Sequence, residues 1–314
     1  MKPKKLKIMV TGALGHIGSH LIRNLDRSVV RDVVMLDNLE SQRFPSLYNL
    51  PKGFIFKFVK EDILTADFSK HLKGVDALIH LAAITDAEKS KQIPELVEAV
   101  NYEGLKRVAG ACLKAKVCLF FPSTTSVYGS QSSVVDETCK ELKPQSPYAE
   151  TKLNSEKYLQ GLKKKGLKLV ICRFGTIFGH SVGMRYDTAV NKFTWQASTG
   201  QPITVWKTAW NQKRPYLYLG DAVKAINFIL KKDLFDGQIY NVVTKNFTVE
   251  NVVKTIQKFV PKLVMDYVDS AIMNQLSYEV DDSKFRRLGF KPTGNLKQGI
   301  AEKITSLAMI INKD

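Results

Sequence analysis

Short apolar runs alternate with helical patterns along the first half of the chain. The apolar runs predict buried strands at residues 6–11, 33–36, 55–59, 77–81, 117–121 and 168–172. Apolar positions at helical spacing predict helices at residues 17–25, 93–115 and 148–165. Continuous apolar strands that alternate with helices are typical of a parallel sheet covered on both faces. The pattern therefore predicts an α/β fold with a doubly wound parallel sheet.

The pattern loosens after residue 173, where glycine and proline become frequent and the apolar runs are isolated. We interpret residues 1–173 as the main domain, and residues 174–215 and 244–314 as a smaller α/β lobe. The segment 216–243 has the pattern strand, helix, strand, and it is expected to rejoin the main sheet. A last helix is predicted at residues 295–311.

The composition of the 314-residue chain is that of a globular protein, with 44% hydrophobic and 25% charged residues. Its four cysteines contain no C-x-x-C pair, so we interpret them as reduced thiols and expect no metal site. The first apolar run is too short for a signal peptide, and no run approaches the ~20 residues of a membrane span. We therefore expect a cytoplasmic protein with no membrane partner.

The charge of the chain is unusual, because 47 Lys and Arg residues outnumber 30 Asp and Glu residues and give a net charge of +17. Such an excess is compatible with nucleic acid, a membrane surface or an acidic small molecule as partner. The sequence contains no helix-turn-helix, zinc-finger or aromatic–basic RNA motif, so we expect no nucleic-acid partner. Three basic residues of the second half, Arg185, Lys207 and Lys213, are interpreted as solvated surface charges.

A glycine-rich turn, with Gly12, Gly15 and Gly18, follows the first predicted strand and opens a helix. Glycines in this context permit a tight turn and let the backbone approach a pyrophosphate. Asp37 ends the second strand, where a carboxylate accepts hydrogen bonds from an adenosine ribose diol and repels a 2′-phosphate. The sequence therefore predicts a Rossmann-type domain over residues 1–173 that binds NAD rather than NADP.

Tyr148 and Lys152 are four residues apart, hence on one face of the predicted helix. A tyrosine with an ordinary pKa of about 10 is a poor base at neutral pH. A neighbouring lysine cation and the positive nicotinamide of NAD⁺ stabilise the phenolate and lower that pKa. The pair is therefore a candidate for removing a hydroxyl proton while hydride leaves the same carbon.

Further motifs follow in order and at suitable spacing. They are Asp37-Asn38-Leu39, Asp62-Ile63, His80-Leu81-Ala82-Ala83, Asn101-Tyr102-Glu103-Gly104, Ser123-Thr124-Thr125-Ser126-Val127-Tyr128-Gly129, Arg214-Pro215-Tyr216-Leu217-Tyr218-Leu219-Gly220-Asp221 and Leu288-Gly289-Phe290-Lys291-Pro292. Together with the glycine turn and the Tyr148–Lys152 pair, they resemble the extended short-chain dehydrogenase/reductase family in its nucleotide-sugar epimerase/dehydratase branch. The resemblance covers nearly the whole chain.

The resemblance implies a role for each matching residue. It assigns NAD binding to Gly12, Gly15, His16, Ile17, Gly18, Asp37, Asn38, Asp62, Ile63, Leu81, Ala82, Ala83, Asn101, Ser123, Tyr148, Lys152 and Phe174. It makes Tyr148 the catalytic acid/base, Lys152 the group that lowers its pKa, and Thr124 the hydroxyl that bonds the reacting sugar oxygen. It assigns a nucleotide-sugar substrate to the smaller lobe and to Thr124, Ser126, Tyr148, Thr176, Asn191 and Arg214, with Arg214 at the diphosphate. It also implies a homodimer that packs through helices 93–115 and 148–165.

The branch shares a first step, in which hydride moves from sugar C4 to NAD⁺ as Tyr148 takes the hydroxyl proton. Family dehydratases carry an Asp-Glu pair after the active-site threonine, and decarboxylases carry a Glu before V-Y-G. Thr125 and Ser126 occupy these positions here. With these two reaction types disfavoured, NAD-dependent 4-epimerisation through a transient 4-keto sugar is the favoured hypothesis. An NAD(P)-dependent keto-sugar reductase, a sugar dehydrogenase and a non-catalytic NAD-binding protein remain as alternatives.

Overall fold

The computed structural model describes residues 4–268 and 277–307. The strands in these ranges are β1 (Leu6–Thr11), β2 (Val30–Asp37), β3 (Ile55–Lys60), β4 (Ala77–His80), β5 (Cys118–Thr124), β6 (Val134–Val135), β7 (Leu169–Phe174), β8 (Thr176–Phe178), β9 (Ile203–Trp206), β10 (Lys213–Tyr218), β11 (Asp236–Val242), β12 (Lys245–Thr248), β13 (Met265–Val268) and β14 (Glu279–Val280). The α-helices are α1 (His16–Leu21), α2 (Phe68–His71), α3 (Pro94–Glu98), α4 (Gly104–Ala115), α5 (Pro147–Lys163), α6 (Ala189–Ser198), α7 (Leu219–Lys232), α8 (Val249–Gln257), α9 (Ser283–Arg286) and α10 (Leu296–Leu307).

Seven strands form the central sheet in the order β11-β7-β5-β4-β1-β2-β3, and all six pairings are parallel. One face of the sheet packs against α1, α7 and α9, and the other against α2, α4 and α5. The central strands are apolar throughout because both of their faces are buried. The predicted doubly wound α/β fold is confirmed.

The six predicted strands of the first half are all present, with boundaries that differ by up to three residues. The helix predicted at 148–165 is α5, whereas the helix predicted at 17–25 ends at Leu21. The helix predicted at 93–115 is interrupted by a π-helical turn at Ala99–Glu103 between α3 and α4. The last helix begins at Leu296 and is described to Leu307, so the end predicted at 311 lies outside the described residues.

The smaller part of the fold is built around the sheet β12-β10-β8, with the pairs β13-β9 and β14-β6 beside it. Apolar residues of α6, α8 and α10 form its core together with β9 and β10. The expectation that both strands of segment 216–243 rejoin the main sheet is wrong for the first of them. β11 forms the edge of the central sheet beside β7, but β10 pairs with β8 and β12 in the smaller sheet.

Some possible features are absent from the described ranges. None of their helices is long and apolar enough to cross a membrane. No group of three or more His, Cys, Asp or Glu side chains among them could hold a metal ion. All four cysteines carry free thiols, and Cys112 and Cys172 are buried.

Candidate active site

A cavity of about 500 Å³ lies at the carboxyl edge of the central sheet, beyond the ends of β1, β2 and β4. Ligands of doubly wound folds bind at this edge, because parallel strands all present their carboxyl ends there. Twelve of the predicted cofactor residues line the cavity: Gly12, Gly15, His16, Ile17, Gly18, Asp37, Asn38, Asp62, Ile63, Leu81, Ala82 and Ala83. The structure thus gathers four separate segments of the chain around one site.

The glycine turn forms one wall of this cavity. Gly12 has a φ of +65°, and a Cβ there would lie 2.6 Å from the backbone nitrogen of Ala82. The Gly15 N–H donates to the Gly12 carbonyl at 3.1 Å, and α1 begins at the next residue. A bare backbone therefore faces the cavity, as a diphosphate requires for close approach.

The carboxylates after β2 and β3 form the adjoining wall. Asp37 accepts hydrogen bonds from the backbone N–H groups of Leu14 at 3.1 Å and Leu39 at 3.0 Å. The Asn38 amide donates to Asp62 at 2.7 Å and so joins the two strand ends. Asp37 is held directly beside the glycine turn, the position from which a carboxylate binds a ribose diol. These residues and the bare turn fit a dinucleotide.

Five predicted cofactor residues are not among those that line the cavity: Asn101, Ser123, Tyr148, Lys152 and Phe174. The Asn101 side chain accepts a hydrogen bond from the Ile84 N–H and donates one to the Ile84 carbonyl, both at 2.8 Å. Ser123 donates to Glu156, and Phe174 packs against Phe120 with ring centroids 6.0 Å apart. The contacts of Asn101, Ser123 and Phe174 hold the neighbouring segments of the chain in place.

Thr124, Tyr148 and Lys152 are brought together at the end of β5. Ser146 caps α5 by accepting from the Ala149 N–H at 3.2 Å, which places Tyr148 in the first turn. The Thr124 side chain lies close enough to the Tyr148 hydroxyl to lower its pKa. The Lys152 ammonium donates to the Pro122 carbonyl at 2.8 Å and lies 6.0 Å from the centre of the Tyr148 ring.

Burial shifts both titratable members of this group. Desolvation raises the pKa of Tyr148, and the Arg185 cation and the nearby Thr124 side chain oppose the rise. Desolvation lowers the pKa of Lys152 to about 7, and the Glu156 carboxylate opposes that fall. The Lys152 charge therefore titrates near neutral pH, which is the range that suits acid–base chemistry.

A buried ion pair lies one helical turn beyond Lys152. The Arg173 guanidinium donates to both Glu156 oxygens, at 2.7 Å from Nη2 and 3.0 Å from Nε. The two side chains are only 4% and 3% exposed. The Arg173 guanidinium also lies 4.8 Å from the Tyr128 ring centroid. Because Glu156 also accepts from Ser123 beside Thr124, this pair links α5 to the ends of β5 and β7.

Some predicted substrate residues lie at the end of β5 and on α5, and the others lie on elements of the smaller part. Thr124 accepts from the Ser126 N–H at 3.1 Å, and Thr176 begins β8 opposite Tyr216 of β10. Asn191 on α6 is 1% exposed and uses its amide to bond the backbone of Gly179 and Arg185. Arg214 on β10 lies 5.7 Å from the Tyr278 ring centroid.

Three residues of the site were not identified from the sequence. The Tyr278 hydroxyl lies 3.3 Å from Thr125 Oγ1, so it connects Arg214 to the loop after β5. Arg43 lines the cavity. Arg185 lines it as well, so its interpretation as a solvated surface charge is wrong: it donates to Asp187 at 2.6 Å and to the Thr85 carbonyl at 2.8 Å. No local motif marks these positions, and Tyr278 and Arg185 contact Thr125 and Thr85, which are distant in sequence.

Comparison with known proteins supports this description. Residues 8–242 match the model of the NAD dependent epimerase/dehydratase family. An uncharacterised UDP-glucose epimerase of Bacillus subtilis, YtcB, is 33% identical over 97% of this chain and 99% of its own. UDP-glucuronic acid 4-epimerase from Bacillus cereus, solved with UDP-glucuronic acid and NAD, is 28% identical with a TM-score of 0.87 and covers 98% and 100% of the two chains.

A second solved structure is similar to this chain. It is UDP-N-acetylglucosamine 4-epimerase from Methanobrevibacter ruminantium M1 in complex with UDP-N-acetylmuramic acid. It is 25% identical with a TM-score of 0.84, and the match covers 97% of this chain and 100% of that one. With the family model matching most of the chain, the protein belongs to the NAD dependent epimerase/dehydratase family, whose cofactor is NAD.

Proposed function

We propose that the protein epimerises a nucleotide-diphosphate sugar at C4 through a transient 4-keto intermediate. The observation that carries this proposal is the assembly of Thr124, Tyr148 and Lys152 beside the dinucleotide cavity. Relatives named as UDP-sugar 4-epimerases support the substrate class and the reaction.

Tyr148 is proposed to exchange the proton of the C4 hydroxyl. Its neighbour Thr124 can donate to a ketone oxygen and accept from an alcohol, so it serves both states of the sugar. Lys152, in its charged form, stabilises the phenolate. NAD, when bound, accepts hydride from C4 and returns it.

The residues after Thr124 favour epimerisation over elimination of water. Thr125 is 1% exposed and hydrogen-bonded to Tyr278, and Ser126 follows it. Neither side chain is a carboxylic acid, so neither supplies the second acid–base pair of a dehydratase. Turning the keto sugar and returning hydride to its other face requires no further acid or base.

Arg214 is proposed to bind the substrate diphosphate. A guanidinium can bind two phosphate oxygens at once. The Tyr278 ring beside it restricts the guanidinium plane, which favours one orientation for the anion. The other members of the substrate set, Ser126, Thr176 and Asn191, are proposed to act with it.

We also propose that the protein acts as a homodimer through α3 and α5. An open groove of about 530 Å³ lies between these two helices. Its lining residues are Pro94, Glu95, Glu98, Ala99, Glu103, Pro147, Glu150, Thr151 and Asn154. The groove is on the face that the family resemblance predicts for dimer packing.

The test is incubation of the purified protein with a panel of UDP-, dTDP-, GDP- and CDP-sugars, read by NMR for the configuration at C4. We expect one or more C4 epimers with no net change in NADH absorbance. The variant Tyr148→Phe should lose at least about 100-fold in rate, because the acid/base is removed. Tyr158→Phe, a half-buried tyrosine on the same helix, is the matched control and should retain the rate.

Two results would contradict the proposal. Stoichiometric appearance or loss of NADH would identify a dehydrogenase or a keto-sugar reductase. An unchanged rate in Tyr148→Phe would remove Tyr148 from the chemistry.

A further inference from the structure

Residues 179–187, which we call the strap, lie across the glycine turn. Ser181 Oγ and His16 Nδ1 share a hydrogen bond of 2.7 Å, and the Gly183 N–H donates to Ser19 Oγ at 2.9 Å. A Cβ at Gly183 would collide with the carbonyl oxygen of Leu14. The strap is therefore seated directly on the backbone of the turn, with space for glycine and for no larger residue.

The far end of the strap reaches the opposite wall of the cavity. Arg185 donates to the Thr85 carbonyl at 2.8 Å and forms two hydrogen bonds of 2.6 Å with Asp187. From inside the fold, Asn191 donates to the Arg185 carbonyl at 3.0 Å and accepts from the Gly179 N–H at 3.2 Å. The strap is thus fixed at both of its ends, and Arg185 is its residue that lines the cavity.

Basic side chains converge where the strap meets the turn. Arg43 and Arg185 both line the cavity and are near enough to interact electrostatically with each other, with Asp37 and Asp187 close by. Arg43 Nη1 lies 3.5 Å from the point that a Cβ on Gly15 would occupy. Asp187 already pairs with Arg185, so Arg43 is the main candidate for a diphosphate, an anion that guanidiniums bind well.

His16 supplies a further polar group at the same place. Its ring is 6% exposed and lines the cavity, and its Nε2 is a buried atom for which the described residues provide no hydrogen-bond partner. Leaving such an atom without a partner costs free energy, so a ligand that supplies one is favoured.

We propose that the strap and Arg43 bind the diphosphate of the dinucleotide and that the strap must lift from the glycine turn before the dinucleotide can leave. This inference rests on the proposed function in one respect, which is that the protein binds a dinucleotide. It explains how a cofactor that is reduced and reoxidised within each turnover stays with the protein. Arg43 and Arg185 contribute the positive charge, and the bonds of Ser181 and Arg185 hold the strap in place.

The test measures release of the dinucleotide and not turnover. NADH bound to the purified protein is displaced with excess NAD⁺, and the loss of bound-NADH fluorescence gives the dissociation rate. Ser181→Ala removes the bond to His16 and should accelerate release about tenfold, and Arg43→Gln should weaken NADH binding by a similar factor. The matched control is Val182→Ala, because Val182 lies on the same strap and is 44% exposed.

The controls separate the possible outcomes. Thermal unfolding of each apoprotein shows whether the variants fold, and Arg185→Gln provides a second test at the far end of the strap. The proposal would be overturned by release rates within twofold of the unsubstituted protein in Ser181→Ala and Arg185→Gln together with an unchanged NADH affinity in Arg43→Gln. If Arg43→Gln lowered the affinity for NADPH alone, Arg43 would recognise a 2′-phosphate and the diphosphate assignment would be wrong. A protein that epimerises no sugar yet retains NADH would contradict only the proposed function.

Discussion

Lys152 illustrates how a single charge is set by its surroundings. Desolvation brings its pKa down to about 7, while Glu156, four residues along α5, works against this fall. Glu156 is itself held by Arg173 and Ser123. The charge proposed to stabilise the Tyr148 phenolate therefore depends on an ion pair between Glu156 and Arg173.

The variant Glu156→Gln should shift the pH dependence of the reaction. Lys152 is charged below its pKa and neutral above it, so the rate falls as pH rises through that value. Loss of the Glu156 charge, and the unpaired Arg173 cation that results, both lower the pKa of Lys152 further. The falling limb of kcat against pH should therefore move to lower pH, measured as a full pH–rate profile.

Two further variants complete this test. Glu150→Gln, which changes an exposed carboxylate on the same helix, should leave the profile in place. Removing one partner of a buried ion pair costs roughly 3–5 kcal/mol of folding free energy. The double variant Glu156→Gln with Arg173→Met therefore serves as a second form of the test, because it leaves no charge unpaired. A falling limb that stays in place, or moves to higher pH, in Glu156→Gln would show that Glu156 does not set the Lys152 charge.

The residues that could be identified from the sequence are those whose partners are close along the chain. Tyr148 and Lys152 share one helical turn, and Gly12 to Gly18 form a single turn with a recognisable spacing. Tyr278, by contrast, reaches the site through Thr125, more than one hundred positions earlier. Arg185 looked like any other basic residue, because its carbonyl partner on Thr85 comes from a different segment.

At the scale of elements, the π-helical turn between α3 and α4 differs most from expectation. The apolar periodicity at 93–115 predicts one continuous helix, but Asn101 lies in the turn at Ala99–Glu103. There its side chain holds both backbone groups of Ile84, which lines the cavity. Such turns are frequent at functional sites, because one extra residue redirects a side chain.

The variant Asn101→Ala should loosen this wall of the cavity. It leaves the Ile84 N–H and carbonyl without their partners, at a cost of about 1–3 kcal/mol. We expect a lower melting temperature and NAD binding weakened by about tenfold, measured by calorimetry. Lys157→Ala, at an exposed residue on α5 that does not line the groove, is the control. Unchanged NAD affinity in a folded Asn101→Ala protein would contradict this role.

The strand predictions show the same division between local and distant information. β1 was predicted with its actual bounds, because an isolated apolar run before a glycine turn has one interpretation. β10 and β11 are both apolar runs beside one helix, α7, yet they join different sheets. Which sheet each joins depends on β8 and β12 as partners, and the pattern of the strand itself does not contain that information.

At the scale of the molecule, the net charge of +17 contrasts with a locally acidic face. Four glutamates, Glu95, Glu98, Glu103 and Glu150, line the groove between α3 and α5. In a symmetric dimer through this face, equivalent residues would lie near the two-fold axis. Carboxylates that face each other repel, so such a dimer requires cations beside them, as Lys106 provides for Glu103 at 2.9 Å.

The proposed dimer should have twice the 35.3 kDa mass of the chain in sedimentation equilibrium. Ala99→Trp places a large ring in the groove and should shift the protein towards the monomer. Ala115→Trp, at an exposed alanine on α4 away from the groove, should leave the mass unchanged. A folded Ala99→Trp protein with the dimer mass would exclude this face, and a monomeric parent protein would exclude the dimer.

The position of β11 has a consequence for protein engineering. The smaller sheet takes β8 and β10 from before β11 and β12 from after it, so the part of the chain that carries Arg214 is discontinuous in sequence. A hybrid enzyme made by one crossover after β7 would replace the edge strand of the central sheet along with that lobe. Three crossovers, after Phe174 and on both sides of β11, would keep β11 in the scaffold but would transplant α7 and α9, which pack on the central sheet, together with the lobe. To exchange substrate preference between relatives, two separate segments on either side of β11 are therefore a better choice than the whole C-terminal half of the chain.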